Sequence, residues 1–192
     1  MDGARYLIAL LLVISTPPGF FLWFLIHPFA RQWRRIGALW TYVVLAPPSI
    51  LMMVAVFHAR RSILAIEFGT NYVLVAISVL ALAGAMLIAR ARKRYLTYGV
   101  LAGLPELSPQ RYPGKLLTEG IYGRIRHPRY VEVLLGILGY ALFANYLAGY
   151  VLFVLSLPAL YQIVLLEERE LRERFGAEYV EYERRVPRFV PW

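Results

Sequence analysis

Two polar segments of this chain hold the side chains whose types and spacing could do chemistry. The first ends in GIYGRIRHPRY, residues 120–130, where His127 precedes a proline and is therefore expected in extended backbone just before a helix. Arg126, His127 and Tyr130 would then gather hydrogen-bond donors at a helix N-terminus, which suits an anionic group such as a carboxylate or a phosphate. The spacing alone favours a simpler interpretation, a basic anchor that binds lipid headgroups.

The second segment begins with Glu167 and Glu168, directly after a long apolar run. Carboxylates at the end of a membrane helix are costly unless they face a polar cavity or a partner, so this pair is a candidate part of a site. Beyond it, apolar side chains recur at steps of three or four, which predicts an amphipathic helix at the membrane interface. These side chains are Leu171, Phe175, Tyr179, Tyr182 and Val186.

Several kinds of site are excluded by what the sequence lacks. The chain has no cysteine, so disulfides, thiolate metal sites and cysteine nucleophiles are ruled out. It has no G-x-G, so neither a dinucleotide fingerprint nor the glycine-rich loop of soluble methyltransferases is present. His27, His58 and His127 lie in separate loops without metal-ligand spacing, so no metal site is expected. We interpret His27 and His58 as interface residues on opposite faces of the membrane.

The rest of the sequence indicates membrane-spanning helices, and these helices must position the two polar segments. Hydrophobic residues make up 59% of the 192, and they cluster in long uncharged runs. A soluble domain of this size could not hide so much apolar surface. A run of about 20 apolar residues crosses the hydrocarbon core as a helix. Four runs qualify, at residues 6–26, 36–57, 71–89 and 133–166.

The last run is too long for one crossing and slightly short for two crossings with a loop. Asn145 and Gly149 near its middle predict a turn, so we interpret it as a tight helical hairpin with short or partly inserted arms. The prediction is one all-α, multi-pass membrane domain over residues 1–192 with about five spans. Its parts are three N-terminal spans (1–89), a cytoplasmic loop (90–130), the hairpin (131–166) and a cytoplasmic tail that completes the site (167–192).

Each of the first two spans has a central proline pair, at residues 17–18 and 47–48. Proline removes a backbone donor and bends a helix, and in lipid the freed carbonyls need other partners. We interpret both spans as kinked packing helices, and a transport hinge is the alternative.

The net charge of +9 is distributed in a way that predicts orientation. With five spans, eighteen of the 21 basic residues fall on one face and three on the other. Because cytoplasmic loops carry an excess of Lys and Arg, the N-terminus is expected outside and the tail in the cytoplasm, in a prokaryotic cytoplasmic membrane. Topology and contact with anionic lipid explain the basic residues, so no nucleic-acid partner is expected.

Taken together, the two polar segments resemble a known family. The run G-I-Y-x-x-x-R-H-P-x-Y, an apolar hairpin, and the run E-E-x-x-L-x-x-x-F-G-x-x-Y-x-x-Y-x-x-x-V-P-R are similar to the isoprenylcysteine carboxyl methyltransferases and to the wider phospholipid methyltransferase group. The resemblance covers about residues 114–191, and the first three spans match only in general character. It implies an S-adenosylmethionine-dependent membrane enzyme that methylates a lipophilic acceptor, such as the carboxylate of an isoprenyl-cysteine or another isoprenoid or lipid.

Carried over by position, the resemblance also implies roles for individual residues. Arg126 would orient an acceptor carboxylate and is the candidate catalytic residue, with Gln162 and Glu168 also on the acceptor side. Glu167 would hold the cofactor by accepting from its ribose hydroxyls or by offsetting its cationic groups. The other implied cofactor-binding residues are Lys115, Leu116, Leu117, Tyr122, His127, Tyr130, Leu135 and Gly136.

One departure from the family leaves the acceptor open. Eukaryotic members have an arginine about one turn before the glutamate cluster, where this chain has Gln162 and Ile163. A prokaryotic enzyme that acts on another isoprenoid or lipid acid would fit as well as one that acts on a prenylated cysteine. Two further functions stay open: an NADPH-dependent membrane reductase of the sterol and steroid type, and a non-enzymatic transporter or scaffold.

Overall fold

The computed structural model describes residues 2–95 and 115–191, which form six α-helices and one short 3-10 helix. Part of the predicted cytoplasmic loop, residues 96–114, lies outside the described residues, as do the first residue and the last. The helices are α1 (Asp2–Ile26), α2 (Ala30–Ile63), α3 (Tyr72–Lys93), the 3-10 helix (Gly120–Gly123), α4 (Pro128–Ala144), α5 (Leu147–Phe175) and α6 (Ala177–Arg185).

The predicted all-α membrane fold is confirmed. Four helices, α1, α2, α3 and α5, are long and apolar enough to cross a membrane. Helix α4 has 17 residues, so at ~1.5 Å per residue it is shorter than the ~30 Å hydrocarbon core. It is the short first arm of the predicted hairpin. Large apolar side chains such as Leu39, Leu51 and Leu80 are well exposed on these helices, as expected for surfaces that contact lipid.

The hairpin turns at Asn145, as the sequence predicts. Asn145 ends α4 in the left-handed conformation, with φ 56° and ψ 48°, which asparagine tolerates better than most residues. Its side-chain amide donates to the carbonyl of Gly69 at 2.8 Å, and its Oδ1 accepts from the Tyr150 hydroxyl at 2.7 Å. Helix α5 then continues to Phe175, well past the predicted end at residue 166, so Glu167 and Glu168 lie within a helix.

One guanidinium joins the elements that meet at the turn of the hairpin. Arg5 near the start of α1 is 1% exposed. Its Nη1 lies 2.7 Å from Oε1 of Glu67 in the α2–α3 connection, and its Nε donates to the Ala144 carbonyl at 3.1 Å. We call this the Arg5 end of the molecule, and the opposite end, where α4 starts, the His127 end.

Helix α2 changes direction at a glycine, while both proline pairs lie inside continuous helix. Gly37 has φ 82° and ψ 163°, a backbone conformation that side chains with a Cβ rarely adopt. The helical segment before it, residues 30–36, is therefore set at an angle to the rest of α2. This segment brings Arg31 and Arg34 to within ion-pair distance of α5.

The predicted amphipathic stripe is divided between two helices. Gly176, with φ 56° and ψ −129°, ends α5 and starts α6. The apolar side chains of the stripe still meet, because α6 folds back so that they pack together with Leu116. Tyr179 and Tyr182 are 1% and 3% exposed. The stripe therefore covers protein, which corrects the interpretation of one continuous helix lying on the membrane surface.

The most extensive helix contact is between α3 and α4, and a glycine sets their separation. A Cβ built on Gly139 of α4 would lie 2.7 Å from Leu82 Cγ and 3.3 Å from the Ser78 carbonyl oxygen. A Cβ on Gly84 of α3 would meet Leu135 Cδ1 at an ordinary 3.5 Å.

Gly139→Ala should therefore lower stability by about 1–3 kcal/mol, because the two helices must move apart to admit one methyl group. Gly84→Ala is the matched control on the same helix pair, and it should be neutral or slightly stabilising because alanine favours helix. Thermal unfolding of both variants in detergent measures the difference. An unfolding midpoint for Gly139→Ala equal to that of Gly84→Ala would contradict the packing described here.

Candidate active site

Two extended pieces of backbone bring the predicted polar segments together at the His127 end. The amide of Arg126 donates to the Pro187 carbonyl at 2.8 Å, and the amide of His127 donates to the Arg188 carbonyl at 3.0 Å. Pro128 then starts α4 with His127 as its N-cap residue. Proline suits this first position because an N–H there would have no acceptor within the helix. The loop before α4 and the tail after α6 are thus joined across the hairpin.

The carboxylate of Glu168 lies at the centre of this junction. Glu168 is 0% exposed on α5. Its Oε1 accepts from Arg126 Nη2 at 2.6 Å and lies 3.2 Å from His127 Nε2, and its Oε2 accepts from Arg188 Nη2 at 2.8 Å. Taking a charge out of water costs several kcal/mol, so a buried carboxylate needs partners of this kind.

Arg126 is occupied by partners within the chain. Beyond its contact with Glu168, its Nη1 donates to the carbonyls of Glu183 at 2.8 Å and Val186 at 2.5 Å. Its side chain is 7% exposed. Its Nη1 therefore holds the end of α6 and the tail near the start of α4, and its Nη2 holds α5 there. The role in orienting an acceptor carboxylate stays a prediction, and these contacts do not favour it.

His127 lies between two carboxylates. Its Nδ1 is 3.6 Å from Glu167 Oε2, and its Nε2 is 3.2 Å from Glu168 Oε1. Burial alone lowers the pKa of His127, but the hydrogen bonds and charges of Glu167 and Glu168 outweigh burial and raise the pKa above its ordinary value of 6.5. The protonated ring is thereby favoured, and it helps to fix the direction of both carboxylates.

Glu167 faces a cavity of about 260 Å³ beside the junction. Its side chain is 24% exposed, and its Oε2 lies 3.6 Å from His127 Nδ1, a longer contact than those that Glu168 makes. The walls combine cations with aromatic rings. Burial raises the pKa of the Tyr182 hydroxyl to about 12, so this ring stays neutral. The cations are Lys115, Arg126, Arg129 and Arg174, and the aromatic residues include Trp23, Tyr122, Phe175 and Tyr179.

Most of the site residues predicted from the sequence line this cavity. They are Lys115, Leu116, Leu117, Tyr122, Arg126, His127, Tyr130 and Glu167. Four other predicted residues do not line the cavity. Leu135 points toward Gly84 of α3, and Gly136 follows it along α4. Gln162 is exposed on α5, and Glu168 is buried in the junction.

Three residues that support the cavity are not among the site residues predicted from the sequence. Trp23 lies inside an apolar span, yet its ring lines the cavity and has the Arg129 guanidinium 4.0 Å from its centre. Arg188 belongs to the V-P-R end of the second motif, which could have marked it as a partner for the glutamate pair. Ile163, at the position of the missing arginine, is fully buried against Tyr130.

Glu168→Ala should lower the free energy of unfolding by about 3–5 kcal/mol, because the buried side chains of Arg126 and His127 would lose the carboxylate that they share with the partly exposed Arg188. Glu181→Ala on α6 removes a glutamate whose side chain is 57% exposed, and it should change stability by no more than about 0.5 kcal/mol. Thermal unfolding of the two variants in one detergent compares them. Equal, small effects would show that the junction contributes nothing to stability.

The family comparison matches residues 73–178 to the phospholipid methyltransferases. The match runs from α3 into α6, so it begins earlier than the resemblance seen in the motifs from residue 114 onward. No solved structure matches the chain significantly.

Three curated relatives each match about two-fifths of the chain. Protein-S-isoprenylcysteine O-methyltransferase B of Arabidopsis thaliana is 35% identical over 79 residues, which is 41% of this chain and 40% of that protein. Cobalt-zinc-cadmium resistance protein CzcN of Cupriavidus metallidurans is 42% identical over 77 residues, 40% of this chain and 35% of CzcN. Protein-S-isoprenylcysteine O-methyltransferase of Schizosaccharomyces pombe is 35% identical over 77 residues, 40% of this chain and 33% of that protein.

The chain therefore spans no more than 40% of the length of these three relatives. The family match, in contrast, covers more than half of the chain, from the start of α3 to the start of α6. On that match, the chain belongs to the phospholipid methyltransferase family.

Proposed function

We propose that this chain transfers a methyl group from S-adenosylmethionine to a lipophilic acceptor at the membrane surface. The observation that carries the proposal is the position of Glu167. Its carboxylate opens into a cavity at the ends of apolar helices, and its Oε2 has the His127 ring 3.6 Å away, beyond the length of a good hydrogen bond. A carboxylate has more acceptor sites than one such contact uses, so it can still accept from a ligand that donates to it.

The side chains around the cavity match the chemical groups of S-adenosylmethionine in charge and polarity. The cofactor carries a carboxylate, two cationic centres, ribose hydroxyls and a flat adenine. Lys115 and Arg174 offer cations for the carboxylate, and Glu167 offers an acceptor for the hydroxyls or the cationic groups. The rings of Tyr122 and Tyr179 offer flat apolar surface for the base.

When bound, S-adenosylmethionine supplies an electrophilic methyl group on a sulfonium. The residues of this chain then act by positioning and by excluding water. Glu167 orients the cationic side of the cofactor, and His127 fixes Glu167. Leu116, Leu117 and Phe175 form an apolar wall that keeps water from the reacting atoms. A carboxylate acceptor is already nucleophilic, so no general base is required.

We propose a lipid or lipidated acid as the acceptor. The exposed apolar faces of the helices would let such a molecule approach sideways from the bilayer while the cofactor enters from water. Two of the relatives carry the name protein-S-isoprenylcysteine O-methyltransferase, which makes the carboxylate of an isoprenyl-cysteine the first candidate. Another isoprenoid acid fits equally, since Gln162 is exposed and Ile163 is apolar where an arginine would contact the acceptor.

We also propose that the His127 end lies in the cytoplasm and the Arg5 end outside. The helix order supports this orientation, because the first segment of α2 (residues 30–36), the start of α4 and the tail from residue 167 all meet at the His127 end. Those segments contain most of the arginines, including Arg31, Arg34 and Arg188, and cytoplasmic segments are the ones enriched in basic residues.

Calorimetric titration of the purified chain with S-adenosylhomocysteine should give micromolar binding. Glu167→Gln should weaken that binding about tenfold or more, because a charge-assisted hydrogen bond is lost. Gln162→Ala, an exposed change on the same helix, is the matched control and should bind normally. Binding of NADPH in place of S-adenosylhomocysteine would instead favour a membrane reductase, and binding of neither would favour a scaffold. Transfer of labelled methyl groups into extracted membrane lipids then identifies the acceptor.

A protease or antibody tag placed after residue 192 should be inaccessible in intact cells and accessible after the membrane is opened. A tag before residue 1 should show the opposite behaviour. A C-terminal tag that is reached from outside would reverse the orientation proposed here, without affecting the fold.

A further inference from the structure

His127 is the only imidazole among the described residues that line the cavity beside Glu167. The guanidiniums around this cavity stay charged near neutral pH. Burial raises the pKa of the Tyr122 and Tyr182 hydroxyls, so both rings stay neutral there. An imidazole, in contrast, gains or loses its charge in this pH range. Among these groups, His127 is therefore the one that can adjust the charge of the cavity wall.

The two carboxylates beside His127 are not equivalent. Glu168, on the Nε2 side of the ring, also accepts from Arg126 at 2.6 Å and from Arg188 at 2.8 Å. These guanidiniums balance its charge whether or not the ring is protonated. Glu167, on the Nδ1 side, lies 3.6 Å from the ring and lines the cavity. A charged ligand in the cavity therefore acts on the histidine beside a carboxylate that the two would share.

The other charged groups around the imidazole come from four elements, and they keep their charge near neutral pH. Arg126 precedes the ring in the loop, Arg129 follows it at the start of α4, and Arg188 comes from the tail. The ring of Tyr130 has its centre 5.7 Å away. His27, which follows α1, is 4% exposed, and burial lowers its pKa, so it is neutral. The surroundings thus hold a constant charge while a ligand comes and goes.

The proposed methyl transfer changes the charge inside this cavity. The S–CH3 bond breaks and its electron pair stays on sulfur, while an acceptor oxygen forms the new bond to the methyl carbon. The sulfonium becomes a neutral thioether, and the acceptor carboxylate becomes a neutral ester. A sulfonium and a protonated His127 are like charges beside Glu167, so each disfavours the other. That repulsion ends when the methyl group leaves.

On the basis of the proposed function, we propose that His127 takes up a proton from water when the bound cofactor loses its methyl group. The proton binds a ring nitrogen, so Glu167 keeps a cationic neighbour in the product complex. The sign of the pH dependence follows by linkage. The protonated ring disfavours the sulfonium and not the thioether. The preference for S-adenosylmethionine over S-adenosylhomocysteine therefore rises with pH through the range in which His127 titrates.

Nuclear magnetic resonance can measure this proton directly, because the chain has only 3 histidines. The full chain, labelled with carbon-13 at histidine Cε1 and purified in detergent, is titrated with pH in its S-adenosylmethionine and S-adenosylhomocysteine complexes. The His127 midpoint should be about one pH unit lower in the first complex, which is about a tenfold change in proton affinity. His27→Phe and His58→Gln identify the signals by elimination, so the ring under test stays in place.

His58, exposed on α2, is the internal control and should titrate identically in both complexes. Gln162→Ala, an exposed change on the same helix as Glu167, should keep the wild-type difference at His127. Equal His127 midpoints, a higher midpoint with S-adenosylmethionine, or a shift confined to His27 would each overturn the proposal. Calorimetry on the same samples measures S-adenosylhomocysteine binding. Binding with equal midpoints refutes only the proton uptake, whereas no binding refutes the proposed function and the uptake with it.

Discussion

The buried carboxylate of Glu168 is the interaction on which the His127 end depends. A charge this deep is tolerated only because two guanidiniums and an imidazole surround it. Those groups come from the start of α4 and from the tail, while Glu168 lies on α5. The contacts that neutralise this carboxylate therefore also join α4, α5 and the tail. Consecutive residues on a helix point about 100° apart. With Glu168 directed into the junction, Glu167 is directed toward the cavity.

Much of this arrangement could be predicted from the sequence, because the signals are local. Long apolar runs mark the membrane helices, and Asn145 marks the turn between α4 and α5. The two polar segments flank a helical hairpin, and a hairpin returns the chain to the end where it began. His127 is therefore expected near Glu167 without any knowledge of side-chain positions, and the structure puts the two groups 3.6 Å apart.

Other features could not be predicted, because they depend on which side chains meet in three dimensions. The motif shows Arg126 as a basic residue before a proline, but spacing does not reveal that its partners are Glu168 and two carbonyls of the tail. Gly37 breaks α2 through its backbone conformation, whereas the sequence assigns the bend to the proline pair. The sequence predicts His27 as an interface residue, and only the packing of α1 against α5 shows that its ring is buried and stacked on Trp23.

The Arg5 contact has a consequence for the order in which the molecule assembles. Its guanidinium donates to the carbonyl of a residue 139 positions later in the chain. When α1 enters the bilayer during translation, Ala144 has not yet been synthesised. Arg5 must therefore stay hydrated or associate with lipid phosphates until the hairpin arrives. Closure of the first helix onto the hairpin is thus a late event in biogenesis, with the high sequence separation that slows folding.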